Sequence, residues 1–293
     1  AEEESRYCQA FGDSMPEKTL YVQPSGSIAQ RLGALATSLH ISSTLGAQHV
    51  TVWNGREDYS SVFTEDWNDI FQSPDFKDLS PGCFPGGARS HHRSQCTVVE
   101  VHSEEAWQEL LLSQSKKGAT WPLCIRSSIS LAQESGSDGM LNSDFLRTLK
   151  PAQGIINHVY HLKQRVKWDE WGYWVGIDLV KYDQPLVDKI LRQFGNVVRE
   201  HKNPETIRVV LMIEDMDTET AIRDTLVSLY PDLSAQGRLV SGNAAVAQRP
   251  GDWARSDLVK ILLHSYCSVV ITHDTLDECE TATYLGLDDC LAV

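Results

Sequence analysis

No apolar run in this sequence approaches the ~20 residues that a membrane-spanning helix needs, so no segment reads as a transmembrane span. Positive charge is scarce as well. Lys and Arg number 26 against 40 Asp and Glu, a formal net charge of −14. The densest basic stretches are Lys116-Lys117 and Arg89 to Arg93. Without a basic face to displace counterions, binding to nucleic acid is not expected. The seven cysteines, at 8, 83, 96, 124, 267, 279 and 290, form no C-x-x-C pair. That spacing excludes the common zinc and dithiol signatures, and the spread excludes a mini-protein disulfide framework. His91-His92 falls between Cys83 and Cys96 without tight Cys/His spacing, so a loop or a loop-closing disulfide is read there and no metal site. No G-x-S-x-G elbow is present, and a Ser-His-Asp hydrolase therefore has no starting point. There is no N-x-S/T acceptor, and the chain opens AEEESRYCQ without Met. That opening fits a lumenal or secreted mature chain after removal of a targeting peptide.

What is present is a regular alternation of strand and helix signals. At 293 residues the chain suits two domains of ordinary size. TLYV (19–22) predicts a strand, Ile28 to about Leu45 a helix with Ile28, Leu32, Leu35 and Leu39 at helical spacing, and HVTVW (49–53) the next strand. Such a β-α-β unit implies a right-handed parallel crossover. Strands at 96–101 and 123–126 flank a helix over 104–113, and long loops rich in turn residues are expected at 73–94 and 132–137. A helix, Pro151 and a second helix over 143–166 connect the halves. The second half predicts strands at 174–180, 207–213, 239–240 and 268–272, with helices at 185–201, 218–230, 252–265 and 277–285. Strands without alternation, separated by helices, mean a parallel sheet covered on both faces. The expected fold class is α/β with two Rossmann-like domains, residues 1–150 and 151–293, the C-terminal half a doubly wound parallel sheet. In such sheets ligands bind outside the carboxyl ends of strands. In WGYWVGIDLVKYDQP, residues 171–185, Val180 to Asp183 therefore invite attention as a candidate site.

The order of motifs resembles the GT-B fucosyltransferases of the nodulation and core-fucosylation type. PSGSIAQRLGALATSLHISSTLGAQHVTVW and FTEDWNDIFQSP are similar to that family's opening, with Gly26, Arg31, Leu32, Trp53, Ile70 and Phe71 at the matching positions. DFLRTLKPAQGIINHV resembles its lead into the second domain. WVGIDLVKYD sits where the family has a strand reading like IGVHIRRTD. The likeness continues through VVLMIEDMDTETAIRDTLVSLYP and WARSDLVKILLHSYCSVVITHDTLDECETATYLG, so that it spans roughly residues 19–286. It implies an N-terminal acceptor-side domain and a C-terminal nucleotide-sugar-side domain.

The resemblance also implies a donor site and a departure from it. In the family a strand-end His and the first Arg face the donor, and the Arg grips the β-phosphate of GDP. A guanidinium suits that task through bidentate donation and permanent charge. Here Asp178 stands at the His position and Val180 at the Arg position, with Lys181 on the second Arg. An Asp repels a diphosphate, and a Val stabilises no leaving-group charge. The serine-rich phosphate loop reads Thr272, His273, Asp274, Thr275, which keeps a hydroxyl at Thr275. Asp183 and Asp257 match family positions, and Arg255 is a substitute donor near Asp257. Candidate site residues are thus Arg31, Asp178, Val180, Lys181, Asp183, Asp215, Asp217, Arg255, Asp257 and Thr275, with no catalytic residue and no metal ligand among them.

Each has a plainer reading beside it. Arg31 is a cleft contact or a solvated helix arginine, Asp215 and Asp217 a nucleotide-facing turn or helix caps, and Lys181 with Asp183 a functional or a surface ion pair. The tryptophans at 67, 107, 121, 168, 171 and 174 read mostly as core or domain-interface residues, with Trp168, Trp171 and Tyr173 able to border a cleft. Three functions follow as expectations. The first is a degenerate glycosyltransferase-fold protein acting as a non-catalytic binding or structural subunit, its partner another protein or a glycan. The second is an active, inverting GDP-fucose transferase with an altered phosphate anchor, needing no cofactor beyond that donor. The third is a carbohydrate-binding protein.

Overall fold

The computed structural model describes residues 18–51, 67–72, 98–116, 119, 121–128, 148–179, 183–213, 215–242, 253–272 and 290–292. The chain divides into two compact units, Ala1–Ala152 with Gly251–Ala254, and Gln153–Pro250 with Arg255–Val293. The loops expected at 73–94 and 132–137 and the helix expected at 277–285 lie outside the described residues.

In the first unit, strand β1 (Thr19–Pro24) is buried along its whole length and leads through Ser25–Ser27 into helix α1 (Ile28–Leu45). Ser27 and Gln30 form a capping box, each side chain accepting from the other's backbone N–H, so two of the helix's orphan donors are satisfied. Gly46 ends the helix at φ 60°, a left-handed position that glycine adopts without penalty. Strand β2 (Gln48–Thr51), a one-turn helix α2 (Trp67–Ile70), strand β3 (Val98–Val101), helix α3 (Glu104–Gln114) and strand β4 (Leu123–Ser127) follow. The sheet is parallel with order β2-β1-β4-β3. Its core is built from Leu20, Val22, Ile41, Trp107, Leu123 and Ile125, among others. Cys124 on β4 is buried and disulfide-bonded.

The second unit begins with helix α4 (Gln153–Arg165) and strand β5 (Tyr173–Leu179). Helix α5 (Gln184–Glu200), a 3-10 turn at Pro204–Thr206, strand β6 (Ile207–Ile213), helix α6 (Met216–Leu229), short helix α7 (Pro231–Ala235) and strand β7 (Leu239–Ser241) come next. Helix α8 (Trp253–Ser265), strand β8 (Val269–Thr272) and strand β9 (Cys290–Ala292) complete it. All neighbouring strands pair in parallel, in the order β7-β6-β5-β8-β9. The order runs outward both ways from β5, so the topological switch point of this doubly wound sheet lies between β5 and β8.

Alternation along β5 sorts its side chains. Val175, Ile177 and Leu179 join Val187, Ile190, Phe194, Ile222 and Leu226 in the core under α5 and α6. Trp174, Gly176 and Asp178 face the opposite layer. A Cβ on Gly176 would meet Met212, Val270 and Cys267 at 3.1–3.2 Å, so glycine there permits the close approach of β8 and the segment that precedes it.

Candidate functional site

Asp178 is the next-to-last residue of β5 and pairs in register with Thr272, the last residue of β8. It therefore sits at the carboxyl ends of the two strands that flank the switch point, the place where such sheets receive ligands. Its side chain is 1% exposed. Helix α8 supplies what compensates the burial. Lys260 Nζ lies 2.8 Å from Asp178 Oδ2, and His264 Nε2 lies 3.6 Å from the same oxygen. Lys260 and His264 stand one turn apart, so both nitrogens come off one face of α8. The remaining residues around them, Leu258, Val259, Ile261 and Leu263, are buried and apolar.

The electrostatics follow from this packing. A carboxylate taken out of water needs a partner cation, which Lys260 provides at 13% exposure. Burial, and then the neighbouring Lys260 ammonium, hold the His264 imidazole down at about 3, so it stays neutral at ordinary pH. The result is a buried Asp178–Lys260 ion pair with the neutral His264 ring beside it. Sequence reasoning singled out Asp178 and missed both partners; the one available signal was two polar residues at i, i+4 in an otherwise apolar helix stretch.

The first unit offers a second strand-end feature. Gly26 takes φ 86° in the loop after β1, and a Cβ there would lie 2.2 Å from Gln30 Oε1. Ser25 N–H donates to Ser127 O at 2.7 Å, joining the ends of β1 and β4. Arg31 is 2% exposed, and its Nε donates to Gly26 O at 2.9 Å. The solvated surface arginine is thereby corrected: Arg31 is a buried side chain that fastens the loop.

The other candidates sit apart from the cluster. Asp183 is exposed at the N-cap of α5 and makes no side-chain capping bond. Asp215 caps α6, accepting from Thr218 N–H at 2.8 Å and from the Thr218 hydroxyl, and these bonds hold its carboxyl below the usual carboxylate range. Asp217 is exposed in the first turn of the same helix. Val180, Lys181 and Thr275 lie outside the described residues, as do the side chains of Arg255 and Asp257. Among the described residues there is no group of three or more His, Cys, Asp or Glu able to hold a metal ion. No described helix is long and apolar enough to cross a membrane.

The aromatic residues before β5 gather at its amino end, the far end from Asp178. Trp168 stacks on buried Trp174 with centroids 4.0 Å apart, Tyr173 stacks on His201 at 4.1 Å, and Trp171 is 92% exposed. Trp67 and Trp107 are core residues.

No protein-family profile matches the chain, and no curated protein matches it in sequence. Solved structures do match. The fucosyltransferase NodZ from Bradyrhizobium is 13% identical, with 92% of each chain covered and a TM-score of 0.62. A mutant of Arabidopsis thaliana FUT1 in complex with GDP is 12% identical over 98% of this chain and 74% of that one, at a TM-score of 0.59. POFUT1 in complex with GDP-fucose is 8% identical over 95% of this chain and 99% of that one, at 0.53. At such identities the likeness is one of fold, and the chain has the fucosyltransferase-like GT-B fold.

Proposed function

We propose that this chain is a fucosyltransferase-fold protein that has lost sugar-nucleotide transfer and acts as a non-catalytic binding or structural subunit. One observation carries the reading. The strand-end carboxylate of Asp178 is buried in an ion pair with Lys260, at the switch point of the second sheet. A fixed negative charge there opposes a diphosphate, and the nearby ammonium is already engaged. Val180, where the resemblance expects the phosphate-gripping arginine, adds to the same reading. Site chemistry decides here, because fold alone supports many functions.

An active GDP-sugar transferase is the second reading. It is favoured by the extent of the likeness, 92–98% of the chain, to proteins whose structures include complexes with GDP and GDP-fucose. It requires Lys181, Arg255 or Arg31 as the source of phosphate charge. The disulfide at Cys124 supports a lumenal or secreted location, since such bonds persist in oxidising compartments. The partner is then a protein or glycan of that compartment.

Calorimetric titration of the whole chain with GDP and GDP-fucose tests the proposal. The expected result is no heat with millimolar ligand. Micromolar binding of either ligand overturns the proposal in favour of the transferase.

A further inference from the structure

Exposed aromatic rings are concentrated at one corner of the second unit. Among the described residues, the large aromatic side chains at least half open to solvent are Tyr160, Trp171 and Tyr266. Tyr160 lies on α4, Trp171 in the turn between α4 and β5, and Tyr266 just before β8, so all three stand toward the amino ends of the strands, away from Asp178. Lys163 ties them into one surface. Its ammonium lies 4.0 Å from the Tyr266 ring centroid, 5.5 Å from that of Trp168, and 2.8 Å from Oε1 of Glu170, the residue before Trp171. Tyr160 precedes Lys163 by three residues on α4 and therefore lies on the same side of the helix.

Two local features display this surface in a form that stability does not ask for. Asp169 builds the turn that carries Trp171. Its Oδ1 accepts from Trp171 N–H at 3.0 Å, its Oδ2 from Arg208 at 2.9 Å, and its backbone O from Trp174 Nε1–H at 2.8 Å and Gly172 N–H at 3.1 Å. An indole is thereby held out on a fixed turn at 92% exposure, where its apolar area contributes little to folding. Lys167 is the second feature. Lys167 N–H donates to Gln164 O at 3.1 Å and Trp168 N–H to Lys163 O at 2.8 Å, a Schellman closure of α4. The left-handed position of that motif is usually glycine, yet here an exposed lysine takes it at φ 53°. Backbone strain at a non-glycine residue motivates a functional reading of the side chain.

Charge names the occupant. The chain has 40 Asp and Glu in 293 residues, one in about seven, and a net charge of −14. Residues 153–168 nevertheless contain Lys163, Arg165 and Lys167 and no acidic residue. Lys163 is engaged by Glu170, and Arg165 and Lys167 are the exposed cations of the stretch. We propose that this corner is a platform for an acidic polysaccharide, a chain of pyranose rings bearing carboxylates or sulfates. The slightly positive C–H face of a pyranose stacks on the negative face of an aromatic ring, which Trp171, Tyr160 and Tyr266 offer. The anionic substituents meet Lys167 and Arg165. The strongly acidic remainder of the chain repels such a ligand, which confines it to this corner. The inference goes beyond the proposed function, because the platform lies at the opposite end of β5 from Asp178 and its use does not depend on whether a nucleotide binds.

Calorimetric titration of the whole chain with polygalacturonate, chondroitin sulfate, poly-L-glutamate and phosphatidylserine vesicles tests the inference. The expected result is binding of at least one of the two glycans, with poly-L-glutamate at least about tenfold weaker at equal charge. Trp171→Ala weakens glycan binding at least about tenfold with an unchanged melting temperature, since the ring is exposed. Lys167→Gly weakens it about twofold to fivefold and melts no lower than wild type, since glycine relieves the left-handed position. Weaker binding by a fold at least as stable is a combination that a merely structural lysine does not give. Failure of both glycans to bind at millimolar sugar overturns the inference, as does glycan affinity unchanged in both variants. Poly-L-glutamate binding as tightly as the glycans reduces recognition to charge and overturns the sugar platform. Vesicle binding without glycan binding assigns the corner to a membrane surface and overturns it too. Binding of GDP bears on the proposed function alone.

Discussion

Asp178 and Lys260 hold each other because neither can be left alone. At 1% and 13% exposure the pair is screened far less than a surface bridge, and removing one partner takes the opposite charge of this bridge from the other. Asp178→His, the residue type that the resemblance expects there, sets a second imidazole beside Lys260 and His264. It should cost ~3–5 kcal/mol in urea unfolding, with Lys260→Met in the same background returning part of the loss. A cost near that of an exposed pair, under ~1 kcal/mol, would show that water screens the cluster. Two histidines, His264 buried and His49 half-buried, set the acid limit of the fold. Burial, with Lys260 beside it, lowers His264 to about 3, and burial lowers His49 to about 4, both from an ordinary 6.5. Below pH 6.5 the unfolded chain takes up protons that the folded chain refuses. Stability is therefore complete above that value and falls with pH down to the folded values, by up to ~1.4 kcal/mol per unit for each histidine. Urea midpoints taken near neutrality and near pH 5 should show the fall, and His264→Leu should make it shallower. A flat profile would mean that neither ring is buried neutral.

Among the elements, α6 separates a cap from a nucleotide contact. Asp215 ties its carboxylate to Thr218, the geometry of an N-cap. Asp215→Ala should lower the melting temperature by about 2–4 °C, the range for losing one cap in a protein of this size. It should leave any GDP titration unchanged. A change in ligand affinity with an unchanged melting temperature would reverse that assignment. The longer elements were legible in the sequence because period and punctuation agree: Ile28–Leu45 lies between the Ser27 cap and Gly46, and Ile207–Ile213 is one apolar run. Helix α7, five residues begun by Pro231, is too short to show a period. Strand β9, three residues long, is defined by its pairing with β8, which is a tertiary fact. The candidate site divides the same way. A charge in the apolar run Trp174–Leu179 marks Asp178 in the sequence itself. That Lys260 and His264, more than 80 residues on, meet it depends on how α8 lies over β5, and no local pattern encodes that placement.

At the scale of the whole molecule, two units with separate parallel sheets carry two different sulfur chemistries that report on each. Cys124 lies in the central region of the first sheet and is disulfide-bonded; Cys267, just before β8 in the second, is a buried free thiol. Burial pushes the Cys267 thiol well above its ordinary range, and only the thiolate alkylates readily. In native buffer, mass spectrometry of alkylated, digested protein should therefore find the Cys267 peptide unmodified. It should become modified at the denaturant concentration where the second unit opens. Reducing the Cys124 bridge relieves a constraint on the unfolded chain and should lower the stability of the protein by ~2–5 kcal/mol. If the units unfold independently, reduction leaves the denaturant dependence of Cys267 labelling unchanged. If reduction moves the Cys267 midpoint downward, the two sheets unfold as one cooperative body. That outcome would argue for a rigid structural subunit, while independent opening would leave each sheet to carry its own binding face.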